Sequence, residues 1–250
     1  MNLNKISVIT VVYNSKAFIE DTISSVINQS YKNIEYIIID GGSTDGTIEI
    51  IKKYKNHISY LISEPDNGIF DAMNKGLMKA TGEFIIFMNA GDTFVDKSII
   101  QLVFNRDITT KTGVVFGDVY SKYKSKLQRE HYTPFYLNKK RIRPMGISHQ
   151  SIFVKTTLAQ SIGFSAQFKV AADYDLINQI YKKEYEFLDV GFPISIYDTT
   201  GFSAKNRKLA FKEVGIICNV EKTVLFKLSY LLLSSKLFVK KILHFILLKS

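Results

Sequence analysis

Residues 6–13 read Ile-Ser-Val-Ile-Thr-Val-Val-Tyr, a run of mostly β-branched and apolar side chains without a charge. A strand that is buried on both faces has this composition, because neither of its faces meets water. Asn14 and Ser15 end the run, and apolar residues then recur at helical spacing from Phe18 to Ile27. A buried strand followed by an amphipathic helix is the first half of a β-α-β unit.

The same alternation of strand and helix continues through the first hundred residues. Apolar runs at 35–39, 59–63 and 83–88 predict three more strands, and helical spacing at 44–54 and 69–80 predicts two more helices. Short links between such elements are typical of parallel sheets with right-handed crossovers. The sequence therefore predicts an α/β fold.

The rest of the chain has a less regular pattern. It predicts helices at 96–105 and 174–183, and strands at 114–120, 146–153, 187–190 and 194–197. We expect three parts: an α/β part at 1–110, a second part of the same domain at 111–205, and a helical tail at 206–250. The basic stretch 122–143, which also contains Tyr123, Tyr132, Phe135 and Tyr136, has two readings: a surface that binds an acceptor molecule or a lipid phosphate, or a solvated loop.

The charged side chains of the predicted tail are basic from Lys222 onward. From Lys222 to Ser250 there are six lysines and no acidic residue, and the leucines, isoleucines and phenylalanines fall mostly on one side of a helix. Its apolar runs are shorter than the roughly 18–20 residues that a membrane-spanning helix needs. A basic amphipathic helix lying on an anionic membrane surface fits this pattern. Packing on the domain, or on a second copy in a homodimer, is the alternative.

Composition narrows the class of protein further. The chain has 250 residues, a formal net charge of +10 and one cysteine, Cys218, which excludes an internal disulfide and a cysteine-based zinc site. The charge predicts an anionic partner such as nucleic acid, a phosphate-bearing substrate or an acidic membrane. Since no secretory signal precedes the first strand, we expect a cytoplasmic protein held peripherally on the inner face of the membrane.

Polar residues follow the predicted strands at their carboxyl ends, where parallel α/β sheets bind ligands. They are Tyr13-Asn14, Asp40-Gly41-Gly42-Ser43, Glu64-Pro65-Asp66 and Asn89-Ala90-Gly91-Asp92. A carboxylate there can accept hydrogen bonds from a nucleoside or hold a divalent cation, although a turn or helix cap explains a single Asp equally well. The glycine motifs of dinucleotide oxidoreductases and P-loop NTPases are missing, which argues against both classes.

Taken in order, these segments resemble family 2 glycosyltransferases. The resemblance covers about residues 5–200 and is carried by Ser7–Asn14, Ser24–Tyr31, Ile38–Thr47, Asp71–Gly76 and Gly82–Asp92. It implies the GT-A fold, a Rossmann-like mixed sheet flanked by helices, and inverting transfer of a sugar from a nucleotide diphosphate sugar, with a UDP-sugar favoured. The bacterial enzymes that build capsule, colanic-acid-type and other surface polysaccharides are the most similar branch.

The resemblance also implies roles for individual residues. Asp40 corresponds to the aspartate that binds the base, and Tyr13 and Asn14 lie in the loop beside the nucleotide. The other donor-binding residues that it implies are Val11, Gly42, Asp71, Asn74, Asn89 and Ala90. Residues 89–92 stand where the family carries its Asp-x-Asp motif, but Asn89 and Gly91 replace acids, so Asp92 is the expected ligand of Mn²⁺ or Mg²⁺.

The expected catalytic residues come later in the chain. A sugar hydroxyl is a poor nucleophile and needs a carboxylate to take its proton. The resemblance implies Asp173 as this base, with Asp175 as the competing candidate because Ala172 replaces the acid that usually precedes it. His149 and Gln150 correspond to a His-Gln step near the acceptor or the diphosphate, although a lone histidine in an apolar strand is often structural.

Three functions remain open at this point. The favoured one is a glycosyltransferase that extends a lipid-linked glycan acceptor, as the resemblance implies, and for this function we expect no nucleic-acid partner. The second is a non-catalytic, membrane-associated partner of another glycosyltransferase, suggested by the reduced metal motif. The third is a basic nucleic-acid-binding protein, suggested by the charge, although none of the usual motifs is present.

Overall fold

The computed structural model describes residues 4–123, 126–131, 148–199 and 206–233. Its strands are β1 (Ile6–Val12), β2 (Ile34–Asp40), β3 (Tyr60–Ser63), β4 (Phe84–Phe87), β5 (Thr93–Phe94), β6 (Thr112–Tyr123), β7 (Lys126–Glu130), β8 (Ile152–Lys155) and β9 (Glu186–Asp198). Its helices are α1 (Ile19–Ile27), α2 (Thr47–Lys53), α3 (Ile69–Lys79), α4 (Ile99–Phe104), α5 (Thr156–Ile162), α6 (Ala172–Lys182), α7 (Arg207–Ile217) and α8 (224–233).

The strands form one mixed sheet, with helices on both faces. Its order is β3-β2-β1-β4-β8-β6-β9-β5, and β7 pairs with β6 outside this path. The first four strands of the chain pair in parallel, whereas β8 runs antiparallel to both β4 and β6. This arrangement confirms the predicted α/β class and the mixed sheet.

The core has two halves because successive strand residues point to opposite faces of the sheet. On one face, Ile9 and Val11 of β1 pack with residues of α3, α5, α6 and α7. On the other face, Val8 and Val12 pack with residues of α1, α2 and α4. All seven residues of β1 are buried, as its apolar sequence predicts.

The predicted strand over 146–153 is wrong in its position. His149–Ser151 form a 3-10 turn, in which Ser151 donates its backbone N–H to the carbonyl of Ser148 at 2.9 Å. The strand begins only at Ile152, where pairing with β6 starts. His149 therefore lies on a turn before the strand, and its side chain is not one of the alternating strand residues.

Other elements also differ from the prediction. The strands expected at 187–190 and 194–197 are one strand, β9, which continues through irregularities in its pairing with β6. Part of the basic stretch is also ordered as β7, which forms a hairpin with β6.

Several expectations fall outside the described residues. They concern 132–143 of the basic stretch, with Tyr132, Phe135 and Tyr136, and 234–250 of the tail. The division of the chain at 110 and 205 stays a prediction. In the parts of the chain that the structure describes, no helix is long and apolar enough to cross a membrane.

Candidate active site

The loops that follow β1, β2 and β4 meet at one edge of the sheet. Val12 lies opposite Asp40 in the parallel register of β1 and β2. On the other side of β1, Ala90 donates its backbone N–H to the carbonyl of Val11 at 3.2 Å. The structure therefore brings the predicted residues Val11, Asp40 and Ala90 to the same edge.

Asp40 is fully buried at this edge. Its carboxylate accepts hydrogen bonds from the backbone N–H and hydroxyl of Ser43, and from the Ser63 hydroxyl at 2.6 Å. A carboxylate can accept about four hydrogen bonds, so three of its positions are used within the protein. Asp40 thus holds the turn after β2 together, and its role in base binding stays a prediction.

Asn14 and Gly42 shape the loops beside Asp40. Asn14 has a positive φ of 45°, donates its N–H to the Ser43 hydroxyl at 2.8 Å and accepts the Thr44 N–H at 2.9 Å. Gly42 has a φ of 82°, which an L side chain rarely adopts. These contacts join the loop after β1 to the turn after β2.

Tyr13 and Asp66 flank Gly41 at the open side of these loops. A side chain at Gly41 would collide with the Asp66 carboxylate and would lie 3.4 Å from the Tyr13 ring. Tyr13 is 63% exposed, so its ring offers a free surface beside an acidic group. The sequence analysis named Asp66 among the polar residues that follow a strand, but it assigned no role in the site to this residue.

Two predicted donor-binding residues on α3 are occupied by internal contacts. The side-chain amide of Asn74 donates to the carbonyl of Phe164 at 2.9 Å and accepts its N–H at 2.8 Å. Asp71 accepts the N–H of Asn67 at 3.0 Å and lies 3.6 Å from the Lys75 ammonium. Asn74 therefore ties α3 to the loop after α5.

Asn89 and Asp92 lie in the loop after β4, and both are buried. Burial raises the pKa of Asp92 to about 7, although His149 and a hydrogen bond from Gln150 act in the opposite direction. Asp198, at the end of β9, contributes to the rise in this pKa and was not predicted as a neighbour of the site. Within the described ranges, Oδ1 of Asn89 is buried without a hydrogen-bond partner.

His149 connects this loop to α6. Its Nδ1 lies 2.9 Å from Oδ2 of Asp173, and its Nε2 lies 3.2 Å from Nδ2 of Asn89. Burial lowers the pKa of His149, but the hydrogen bond and the charge of Asp173, with the charge of Asp92, raise it overall. The structure thus places Asp173, His149, Asn89 and Asp92 in one continuous cluster.

Asp175 makes a different contact. Its Oδ2 accepts a hydrogen bond from Nε2 of Gln179 at 2.8 Å, one turn further along α6. Asp173 contacts two other groups. Its Oδ1 accepts the N–H of Tyr174 at 2.8 Å, and its Oδ2 contacts Nδ1 of His149. Of the two candidate bases, Asp173 is the one joined to the cluster.

The family of the chain follows from comparison with known proteins. Residues 7–187 match the model of the family described as Glycosyl transferase family 2. The chain belongs to this family. The match covers well over half of this family 2 glycosyltransferase, and it confirms the resemblance seen in the motifs.

Two curated relatives match this family 2 chain over part of their length. A cholesterol galactosyltransferase of Borreliella burgdorferi is 32% identical over 134 residues, which are 52% of the chain and 37% of that protein. A putative teichuronic acid biosynthesis glycosyltransferase of Bacillus subtilis, TuaG, is 41% identical over 105 residues, 40% of the chain and 41% of the relative. The chain thus spans well under two thirds of either relative.

Solved structures share the fold of this glycosyltransferase. S. aureus TarS in complex with UDP-GlcNAc superposes with a TM-score of 0.68 at 20% identity, over 87% of the chain and 66% of TarS. The mannosyltransferase PcManGT from Pyrobaculum calidifontis, in complex with GDP-Man and Mn²⁺, gives a TM-score of 0.64 at 18% identity, over 82% and 60%. At these identities the likeness shows the fold, and it confirms the GT-A architecture.

The donor set at the end of β4 suits a hard divalent cation. Mg²⁺ and Mn²⁺ prefer oxygen ligands, and the loop offers the Asp92 carboxylate and the unpartnered Oδ1 of Asn89. The described residues contain no group of three or more His, Cys, Asp or Glu side chains with metal-binding geometry. Two oxygen ligands are enough when a bound diphosphate provides others, which is common for Mg²⁺.

Proposed function

We propose that this chain is an inverting glycosyltransferase that moves a sugar from a nucleotide diphosphate sugar, with UDP favoured, to a glycan acceptor. The observation that carries this proposal is the cluster of Asp173, His149, Asn89 and Asp92 at the carboxyl edge of the sheet. In this proposal the cluster supplies a proton acceptor, Asp173, beside a donor site at this edge. The nucleotide sugars bound by TarS and PcManGT support the same donor class.

Asp173 acts as the general base in this proposal. Its carboxylate takes the proton of the acceptor hydroxyl while the hydroxyl oxygen bonds to the anomeric carbon and the bond to the diphosphate breaks. Nδ1–H of His149 donates to Oδ2, and the N–H of Tyr174 donates to Oδ1, so both oxygens are fixed in direction. Each oxygen keeps a further acceptor position for the incoming hydroxyl.

The leaving diphosphate gains negative charge during this step. Asp92 and Oδ1 of Asn89 would hold Mn²⁺ or Mg²⁺, which supplies charge neutralisation for a diphosphate when bound. In the same region, the His149 imidazole lies between Asn89 and Asp173 and orients both side chains. Tyr13 and Asp66 line the more exposed side, where we place the nucleoside.

We propose further that the acceptor is a lipid-linked glycan of a bacterial surface polysaccharide, and that the protein works on the cytoplasmic face of the membrane. On α8, Leu225, Leu228, Leu231 and Leu232 are 54–66% exposed. Lys222 and Lys227 accompany them, and a basic apolar helix of this kind binds anionic lipid surfaces. The name of TuaG, which refers to teichuronic acid, is consistent with a glycan acceptor, whereas the name of the Borreliella relative refers to a lipid, cholesterol.

The test of the proposed reaction compares Asp173→Asn with Asp175→Asn. Purified variants are assayed with a panel of UDP- and GDP-sugars, with Mn²⁺ or EDTA, by mass spectrometry of the products. We expect Asp173→Asn to lose about 10²–10⁴-fold in kcat while its UDP affinity stays within about threefold, because the base does not bind the nucleotide. Asp175→Asn, the matched control, should keep most of its activity.

Two results would contradict the proposal. Full activity of Asp173→Asn would remove Asp173 as the base. Failure of the wild-type chain to turn over any donor in the panel, despite binding nucleotides, would favour a non-catalytic partner of another glycosyltransferase.

A further inference from the structure

Glu213 of α7 is a buried carboxylate that no sequence motif singled out. It is only 5% exposed. Its Oε1 accepts the backbone N–H of Lys169, and its Oε2 accepts those of Val170 and Ala171, all at 2.9 Å. Three consecutive backbone donors on one carboxylate form a tight clamp, because a buried N–H without a partner is costly.

The clamped residues lead directly into α6. Ala171 is the residue that caps this helix, and its carbonyl accepts the N–H of Asp175 at 3.0 Å. Asp173 is the second residue of the helix, two positions after the last clamped residue. The negative charge of Glu213 also lies at the positive end of the helix dipole, which favours this arrangement.

α7 is itself firmly held against the domain. Val214 and Ile217, which follow Glu213 along the helix, belong to the same apolar core as Ala171 and Ala172. Cys218, directly after α7, lies 3.0 Å from the hydroxyl of Tyr174, the neighbour of Asp173. The clamp therefore connects a fixed helix to the first turn of α6.

We infer that Glu213 is a positioning residue for the proposed base. It does not touch the cluster of Asp173, His149, Asn89 and Asp92, but it sets where α6 begins, and with it the distance between Asp173 and His149. This inference rests on the proposed function of Asp173. A displacement of about 1 Å at a reacting group can cost on the order of 100-fold in rate, so a loosened clamp acts on catalysis.

The experiment compares Glu213→Gln and Glu213→Ala with Lys212→Ala, a substitution at the adjacent, exposed position of the same helix. Steady-state kinetics give kcat and the donor KM, at a temperature well below the melting temperature of each variant. Hydrogen–deuterium exchange of the full chain reports separately on residues 169–175. The amide of Gln keeps an oxygen that accepts hydrogen bonds, so this variant retains part of the clamp.

We expect kcat to fall about 10- to 100-fold in Glu213→Ala and less in Glu213→Gln, with the donor KM within about threefold of wild type. Hydrogen exchange at 169–175 should become faster than in wild type, more so in Glu213→Ala than in Glu213→Gln, while β1 and β2 stay protected. Lys212→Ala should resemble wild type in every measurement. Glu213→Gln carries the test if Glu213→Ala does not fold.

The inference is overturned if either folded Glu213 variant keeps wild-type kcat, or if the donor KM rises as much as kcat falls. Unchanged exchange at 169–175 in Glu213→Ala overturns it as well, even when no activity is measured. Failure of the proposed function is a distinct result, since it appears as an active Asp173→Asn variant, or an inactive wild type, whatever the Glu213 variants do.

Discussion

Glu35, at the start of β2, is a buried acid that stabilises the fold far from the proposed site. Its carboxylate accepts hydrogen bonds from the Lys5 ammonium at 2.7 Å, the Ser7 hydroxyl at 2.6 Å, and the N–H and hydroxyl of Thr81, both at 2.7 Å. Burial raises the pKa of Glu35, but these hydrogen bonds outweigh it and lower the pKa from 4.5 to about 2. The charged form is therefore the one that the folded protein stabilises.

We predict that Glu35→Gln lowers the free energy of unfolding by about 2 kcal/mol at pH 7, the usual range for hydrogen bonds to a charged group. Because the folded-state pKa is depressed, this stabilisation is complete above pH 4.5 and is lost as the pH falls towards 2. The difference in melting temperature between wild type and variant should shrink over that range. Glu49→Gln, at an exposed position on α2, should show no such change. A difference independent of pH would contradict the assignment.

The types of residue at the site were predictable from the sequence, but their contacts were not. Asp40 and Asp92 follow predicted parallel strands, where ligand sites are typical, and Asp173 was implied by the family resemblance. The contact between His149 and Asp173 joins residues 24 positions apart, and that between His149 and Asn89 spans 60. No local pattern encodes such separations, and Glu213 was missed for the same reason.

At the scale of elements, α3 packs closely on the sheet because Gly76 has no side chain. A Cβ at this position would lie 2.5 Å from Cγ2 of Ile9 and 3.3 Å from Cγ1 of Ile39, both of which are buried. Contacts of this length require the helix or the strands to move. Gly76 therefore sets the distance between α3 and β1.

We predict that Gly76→Ala is destabilising, although alanine is the better helix former. Overpacking costs about 1–3 kcal/mol, and the gain in helix propensity offsets about 1 kcal/mol, so we expect a net loss of up to about 2 kcal/mol in urea denaturation. Met78→Ala, at a 69% exposed position of the same helix, is the control and should change stability by less than about 0.5 kcal/mol. Increased stability of Gly76→Ala would contradict the packing argument.

The elements differed in how well the sequence predicted them. Strands β1 to β4 and helices α1 to α3 follow the sequence pattern closely, because apolar runs mark the strands and apolar residues at helical spacing mark the helices. The turn at His149–Ser151 and the single strand β9 were not recognised. Pairing with β6 determines where β8 starts and lets β9 continue past Gly191. Because β6 is distant in the sequence, the local sequence of β8 and β9 does not predict this pairing.

At the scale of the whole molecule, we predict that α8 carries membrane binding. Leu228→Ser, Leu231→Ser and Leu232→Ser together should weaken binding to phosphatidylglycerol vesicles at least about tenfold in a flotation assay, since each leucine contributes about 1.5–3 kcal/mol when fully buried. Wild type should bind neutral phosphatidylcholine vesicles less well, and added salt should weaken its binding to anionic ones. Leu102→Ser, at a 46% exposed position on α4, is the control.

Analytical ultracentrifugation of the same variants distinguishes the alternatives. If the triple variant binds vesicles like wild type but no longer forms dimers, α8 is an interface between two copies of the chain. That result would contradict the proposed membrane role.

The sheet also limits how this chain can be recombined with its relatives. β5 comes from the first hundred residues and pairs only with β9 on the path of the described sheet, and β4 pairs with β8 from the second part. In a chimaera that exchanges one part at residue 110, both of these strand pairings would have to form with side chains from another protein. Donor and acceptor preferences are therefore more readily altered by grafting single loops than by swapping halves.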